Sequence, residues 1–390
     1  MHRRDFVQRM AAMGLGVPVL GTFLGCSEDL FSELVETDFN GKVLVVGAGA
    51  AGLTAGYALA RHGIDFEILE ASDVIGGRMK RSRALADFPI DLGAEWIHTD
   101  PTILTRLVND QTFDASVEVI RYSPETISIW NGSRLKGRNW INAFYAEYKF
   151  KSTTWYGFFE RFMLPAIGDR IRFAQVVQSV DYAGDKVVVR TAAGQEYTGD
   201  KVVMTVPIAV LKAGAIDFTP PLPADRVEAF EDVDVPPILK AFIEFSEDFY
   251  PDLTIDGSIT DTDKLFYDAA FRKDTDRNVL GLFVIGDKAT AYTELATEEQ
   301  VVSRVLGELD TIFGDRATPA YLGSVVQDWT KEPHIMGSYS HWERESSREL
   351  LAQPLGANLF FAGEALAEEW STVHGASLSG WDAVRALLSA

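Results

Sequence analysis

The sequence predicts an α/β fold in which a nucleotide-binding unit of parallel strands and helices is interrupted by a second, α+β unit. Three observations carry this expectation. Residues 42–72, KVLVVGAGAAGLTAGYALARHGIDFEILEAS, set out strand, glycine turn, helix, second strand and terminal acid in that order. Alternating β-branched runs follow, RIRFAQVVQSVDY, KVVVRTA and EYTGDKVVMTVP, with turns at Ala183-Gly184-Asp185 and Ala193-Gly194. An apolar strand, NLFFAGE, and a helix from Gly375 to Leu388 close the chain, so the first unit is completed only near its C-terminus.

Within the first unit each glycine has its own reason. The Val-rich run Lys42 to Val46 reads as a buried parallel strand. Gly47 permits the tight turn, Gly49 lets backbone approach a pyrophosphate at the helix N-terminus, and Gly52 lets helix and strand pack closely. The strand Asp65 to Leu69 ends at Glu70, where a carboxylate can accept from ribose hydroxyls. A dinucleotide is therefore expected, nicotinamide or flavin.

Composition bounds the rest. A chain of 390 residues with 47% hydrophobic content can bury a large core and divides naturally into two domains. The net charge of -21 argues against a nucleic-acid partner and suits attraction of cationic small molecules. At the N-terminus, Arg3 and Arg4 precede a short, small-residue-rich apolar run, the shape of a twin-arginine export leader. The single cysteine, Cys26, ends that run where a lipoprotein carries its lipid, so periplasmic or membrane-anchored location is expected. Disulfides and cysteine-based metal centres are excluded for the body of the chain.

Residues 27–40 are acidic and polar and read as a linker. Between Ile103 and Gly168 the pattern is irregular and aromatic, with WINAFYAEYKF and TTWYGFFERF at helical spacing. After the prolines of TPPLP come the strand ILKAFIEF, a strand pair around LFYDAAF and VLGLFVIG, and a helix from Thr297 to Phe313. Lys240 stands out inside ILKAFIEF, since an ammonium in an apolar strand is expensive to bury.

An ordered set of motifs resembles the flavin-containing amine oxidases, the group of monoamine oxidases, polyamine oxidases and lysine-specific histone demethylases. It comprises GAGAAG with Ala51, GGR (Gly76, Gly77, Arg78), DLGAEWIH with Gly93, Ala94, Glu95 and Trp96, then VVMTVP, LKAFIEF, Trp329, GSYS, and FAGEALAEEWSTVHGASLSG. The resemblance runs from about Lys42 to the C-terminus. It implies a Rossmann-like FAD-binding domain, residues 41–110, 165–230 and 335–390, interrupted by an α+β substrate domain, 111–164 and 231–334.

The resemblance also assigns roles. Glu70 would meet the ribose, with Ala71 beside it among the cofactor-binding residues, Arg78 would set a cation beside the diphosphate, and Val177 would meet the adenine through its backbone. Gly363 and Glu364 match a second flavin-contacting motif, and Ser371 to Val373 would lay backbone near the flavin ring. Lys240 would hold a water at flavin N5, and Tyr339 would form one wall of an aromatic cage for the amine. Thr372 stands where monoamine oxidases have the second tyrosine. Ser338 stands where some carry a flavin-tethering cysteine, so FAD is expected to be non-covalent. The stretch 98–168 is shorter than the family's helical insertion, which leaves the substrate site open or completed by a second copy of the chain.

The activity implied is hydride transfer from the carbon beside a primary amine or polyamine to flavin N5, with the imine hydrolysed and O2 reduced to H2O2. An L-amino-acid oxidase, a desaturase-like flavoenzyme and a non-catalytic flavin-bound scaffold lipoprotein are the other readings. The first of these requires an arginine for the substrate carboxylate.

Overall fold

Val43 and Val45 point to one face of the first strand, Leu44 and Val46 to the other, and all four are buried. A strand so covered needs a layer on each side. In this computed structural model, which describes residues 34–112, 115, 117–138, 147–258 and 262–390, both layers are present. The leader with Cys26 lies outside the described residues.

Five parallel strands form the central sheet, in the order Ile171–Arg172, Asp65–Leu69, Lys42–Val46, Lys201–Met204, Leu359–Phe361. Helices Ala50–Arg61 and Val373–Ser389 cover one face. They meet closely because Gly380 lies against the Ala51 carbonyl oxygen, which a Cβ would overlap. The Thr54 and Ser377 hydroxyls meet there at 2.7 Å. On the other face a four-stranded sheet, Val177–Asp181, Val187–Thr191, Glu196–Gly199 and Asp217–Thr219, buries Val180 and Val189 against Leu44, Val46 and Met204.

A second, seven-stranded sheet runs in the order Tyr321–Asp328, Ile238–Phe245, Asn278–Ile285, Lys264–Asp268, Leu253–Asp256, Ile127–Trp130, Leu135–Gly137. Helix Glu298–Phe313 covers one of its faces. The helix begins with a Thr297/Gln300 capping box and ends at Gly314, which is left-handed at φ 75°. Along Ile238–Phe245 the period of two sends Leu239, Ala241, Ile243 and Phe245 to that helix. Ile238, Lys240 and Phe242 therefore face the other way, toward the first unit.

Three expectations are corrected. The aromatic stretch WINAFYAEYKF is not helical where it is described: Glu147–Phe150 is a strand, paired with Trp96–Ile97 and Val119–Tyr122. Residues 140–146 of that stretch lie outside the described residues. With Ile127–Trp130 and Leu135–Gly137, much of 119–150 is β structure, in strands of three or four residues that are too short to show alternation. TTWYGFFERF does hold the helix Trp155–Phe162. The run RIRFAQVVQSVDY is two strands in two sheets, broken around Ala174 at φ 56°. The last helix starts at Val373, capped by the Thr372 hydroxyl, two residues before the expected Gly375.

Gly47 takes φ 107°, and a Cβ on Gly52 would overlap the Gly47 carbonyl oxygen. Gly52→Ala is therefore expected to cost about 3 kcal/mol of stability, the upper end for an overpacked site. Urea unfolding measures it, and an unchanged midpoint would show that turn and helix are not in contact.

Candidate active site

Parallel α/β sheets bind ligands at the carboxyl ends of their strands. Here Val46, Leu69, Met204 and Ala362, at or just past four such ends, open onto one cavity of about 1450 Å³. Its far wall is the seven-stranded sheet, through Ile238, Lys240, Leu265, Tyr267 and Phe283. The cavity therefore lies between the two sheets.

Almost every residue singled out from the sequence lines it. Gly47, Gly49, Ala51, Glu70, Ala71, Gly77, Arg78 and Val177 do so from the first unit, and so does the run Gly93 to Trp96. Trp329, Tyr339, Gly363, Glu364, Thr372 and Val373 complete the set with Lys240. Gly52 does not line it, since its task is the contact with Gly47. The two glycine turns abut, Gly76 N–H donating to Ala48 O at 2.8 Å. A Cβ built on Gly49 or Gly363 would meet no atom within 4 Å, so both present bare backbone to the cavity.

Glu70 is held by backbone donors, and Glu364 by side-chain and backbone donors together. Glu70 accepts from the N–H groups of Ala48 at 2.6 Å and Ser72 at 2.9 Å. Glu364 accepts from Arg78 Nη1 at 2.8 Å, from the Ser340 hydroxyl at 2.9 Å and from Ser371 N–H at 3.1 Å. Arg78 Nη1 also reaches Ser338 O at 2.7 Å, so Arg78 braces the loop 338–340 while lining the cavity.

Lys240 is 3% exposed, and its ammonium donates to Asp91 O at 2.8 Å, Gly93 O at 3.0 Å and Glu95 Oε2 at 2.9 Å. An ammonium has three donors, and here the protein takes all three. With its donors on these protein acceptors, Lys240 brings an ammonium to the cavity wall. Tyr267 donates to the same Glu95 oxygen at 2.5 Å, and Lys149 Nζ stands 3.9 Å from the other. Burial pushes the Glu95 carboxyl up, but Lys240, Lys149 and the Tyr267 hydrogen bond outweigh it and hold the group below its ordinary range. Burial pulls Lys149 down to about 8 against the pull of Glu95. Burial, then the Glu95 charge, raises Tyr267, which stays a phenol. Asp91 is raised for the same two reasons.

An aromatic arc also lines the cavity. Tyr339 and His341 rings lie 5.2 Å apart, and His341 and Trp370 rings 6.0 Å apart. Thr372 caps the last helix beside them. His341, Trp370, Tyr267 and the His98–Glu147 pair at 2.9 Å are site residues that the sequence reading passed over. Only their contacts across the fold reveal them.

Comparison with known proteins follows the same lines. A family model described as flavin containing amine oxidoreductase matches residues 159–388, and one described as NAD(P)-binding Rossmann-like domain matches 45–110. Lysine-specific histone demethylase 1B of Mus musculus is 27% identical over 434 residues, covering 87% of this chain and 52% of the relative. Polyamine oxidase 4 of Oryza sativa subsp. japonica is 25% identical, covering 87% of each chain. The chain spans about half the length of the first curated relatives it matches. Among solved structures, a putrescine oxidase bound to putrescine superposes with TM-score 0.75 at 16% identity over 90% of this chain and all of the other. Cyclohexylamine oxidase from Brevibacterium oxydans IH-35A gives 0.75 at 16% over 90% of this chain and 99% of the other. At that identity the likeness is one of fold.

Gly49 is extended, at φ -77° and ψ -174°, a conformation open to valine, and its Cβ would enter empty cavity. Gly49→Val is expected to fold with stability within about 0.5 kcal/mol of the parent, and to purify without bound nucleotide. A folded variant with full nucleotide content would show that the glycine turn does not hold the ligand.

Proposed function

The chain belongs to the flavin containing amine oxidoreductases, and on that premise we propose that it is an FAD-dependent amine oxidase acting on a primary amine or polyamine. The observation that carries the reading is one cavity reached by the glycine turn, by Glu364, by the buried Lys240 and by Tyr339.

The residues present fit FAD. Gly49 and Gly363 leave bare backbone where a dinucleotide would press, the helix Ala50–Arg61 aims its N-terminus at the cavity, and Glu70 stands at the end of the second strand. A cavity of about 1450 Å³ exceeds the roughly 300–1,000 Å³ of an ordinary small-ligand pocket and has room for substrate beside the cofactor. FAD, when bound, would accept the hydride from the amine-bearing carbon and deliver the electrons to O2.

The protein's part is binding, orientation and charge. Backbone at Gly47 to Ala51 would hold the diphosphate, with Arg78 a cation close by. The Tyr339 ring offers an amine its negative face, and the His341 and Trp370 rings continue the aromatic lining beside it. Carboxylates of Asp234, Asp263, Glu332 and Glu368 also line the cavity, which with the net charge of -21 favours a cationic substrate on its way in. Lys240 would set an ammonium on the cavity wall, where a fixed cation favours negative charge that develops near it.

The amino-acid oxidase reading lacks its partner. Among the described residues two arginines line the cavity, Arg78 and Arg81. The first is held by Glu364, and the second is clamped by both Glu160 oxygens, at 2.6 and 2.8 Å.

Purified protein is expected to show a flavin spectrum, to release FAD on acid precipitation because Ser338 offers no thiol, and to form peroxide with some member of a panel of mono-, di- and polyamines. Flavin-loaded protein inert to the whole panel under oxygen would favour the scaffold reading. Lys240→Met is expected to keep flavin and to slow reaction of the dithionite-reduced protein with oxygen by about 100-fold. A stopped-flow rate equal to the parent's would remove Lys240 from the oxygen reaction.

A further inference from the structure

Lys240 comes from a strand of the seven-stranded sheet, yet the groups that hold its ammonium all lie on residues 91–95. Two are main-chain carbonyls and would accept from any donor. The third, Glu95, is a carboxylate only 7% exposed, and it is itself held from two further directions. Tyr267, from another strand of the same seven-stranded sheet, reaches its Oε2 at 2.5 Å. Lys149, 1% exposed and set beneath the Trp96 and Tyr122 rings at 5.7 and 5.0 Å, faces its Oε1. Lys149 is anchored in turn by Ala269 O at 3.2 Å. Asp91, Tyr122, Asp268 and Lys273 are further titratable groups that act on this cluster, Asp268 raising Lys149 alongside Glu95.

Lysine has a flexible four-carbon stem, so a charge at its tip is located only as well as its partners locate it. A carboxylate held by a phenol and a second ammonium is a rigid partner. Lys240, Glu95 and Tyr267 border the cavity, while Lys149 stands outside its lining.

We infer that Glu95 is a positioning residue for Lys240, fixing its ammonium at the cavity wall, with Tyr267 and Lys149 fixing Glu95 in turn. The inference rests on the flavin reading for its effect on oxygen reactivity, and on the side-chain cluster alone for its effect on Lys149. Two lysines facing one carboxylate also explain why the cluster tolerates burial, since each charge has an opposite neighbour.

The test is a double-mutant cycle on flavin-loaded protein, read as the rate at which dithionite-reduced enzyme reacts with oxygen. Glu95→Leu, which removes both charge and acceptor, is expected to slow that reaction at least about tenfold. Glu95→Gln keeps an acceptor for Lys240 and Tyr267 and is expected to fold, with a loss of about threefold. In a Lys240→Met background the same changes are expected to alter the rate less than about twofold, because they act through the missing ammonium. Equal factors in both backgrounds, or singles that match the parent, would overturn the inference. A second readout needs no flavin. In protein stripped of cofactor and labelled with carbon-13 at the lysine ε position, Glu95→Gln is expected to move the Lys149 titration below its value of about 8. An unmoved titration would overturn the cluster. Wild-type protein that binds no flavin would instead overturn the flavin reading, leaving the Lys149 titration to decide the positioning of Glu95.

Discussion

The Lys240 ammonium joins the two halves of the molecule. Its stem rises from the seven-stranded sheet, and its three donors end on Asp91, Gly93 and Glu95, which follow the glycine-rich start of the nucleotide-binding unit. Removing any of these acceptors leaves a buried donor unpaired, and removing the carboxylate leaves buried charge uncompensated, the costliest defect a core can carry. The register of Ile238–Phe245 follows from this tie: a slip of one residue would turn Lys240 into the apolar face against helix Glu298–Phe313.

With that register set, the cavity is a consequence of two sheets meeting. Four strands of the parallel sheet end at it, and the seven-stranded sheet closes the far side. Trp329 reinforces the junction by donating to Leu92 O at 3.0 Å. The loop Glu364 to Thr372 is held by a second ion pair, Arg78 to Glu364, and by His374, buried against Glu369 at 2.5 Å. Ligand-facing backbone is thereby fixed at both ends of the cavity before any ligand enters, which lowers the ordering cost of binding.

Much of this was legible in the sequence because it is local. The turn at Gly47, the packing glycine at position 52, the strand Ile238–Phe245 and the capped helix after Thr297 each announce themselves within a dozen residues. The cavity-lining motifs were legible through their order along the chain. The strands between Val119 and Phe150 were not, since three or four residues carry too little alternation to outweigh a run of aromatics. The Glu95 cluster was illegible for another reason. Its members lie on two sheets, 240 and 267 on one, 149 and the strand that follows 95 on the other, and meet only where those sheets pack, while a lone lysine in an apolar strand tells of a partner without naming it.

The central claim, that one rigid site holds FAD against a wall bearing the Lys240 charge, is tested most directly by a crystal structure of the protein with FAD and an amine inhibitor. Density for the dinucleotide is expected to run from the turn at Gly47 to Gly52 past Arg78 and Glu364, with Lys240 still bonded to Asp91, Gly93 and Glu95 and the inhibitor on the Tyr339 side. FAD bound elsewhere, or Lys240 swung away from Glu95 in the loaded protein, would contradict it.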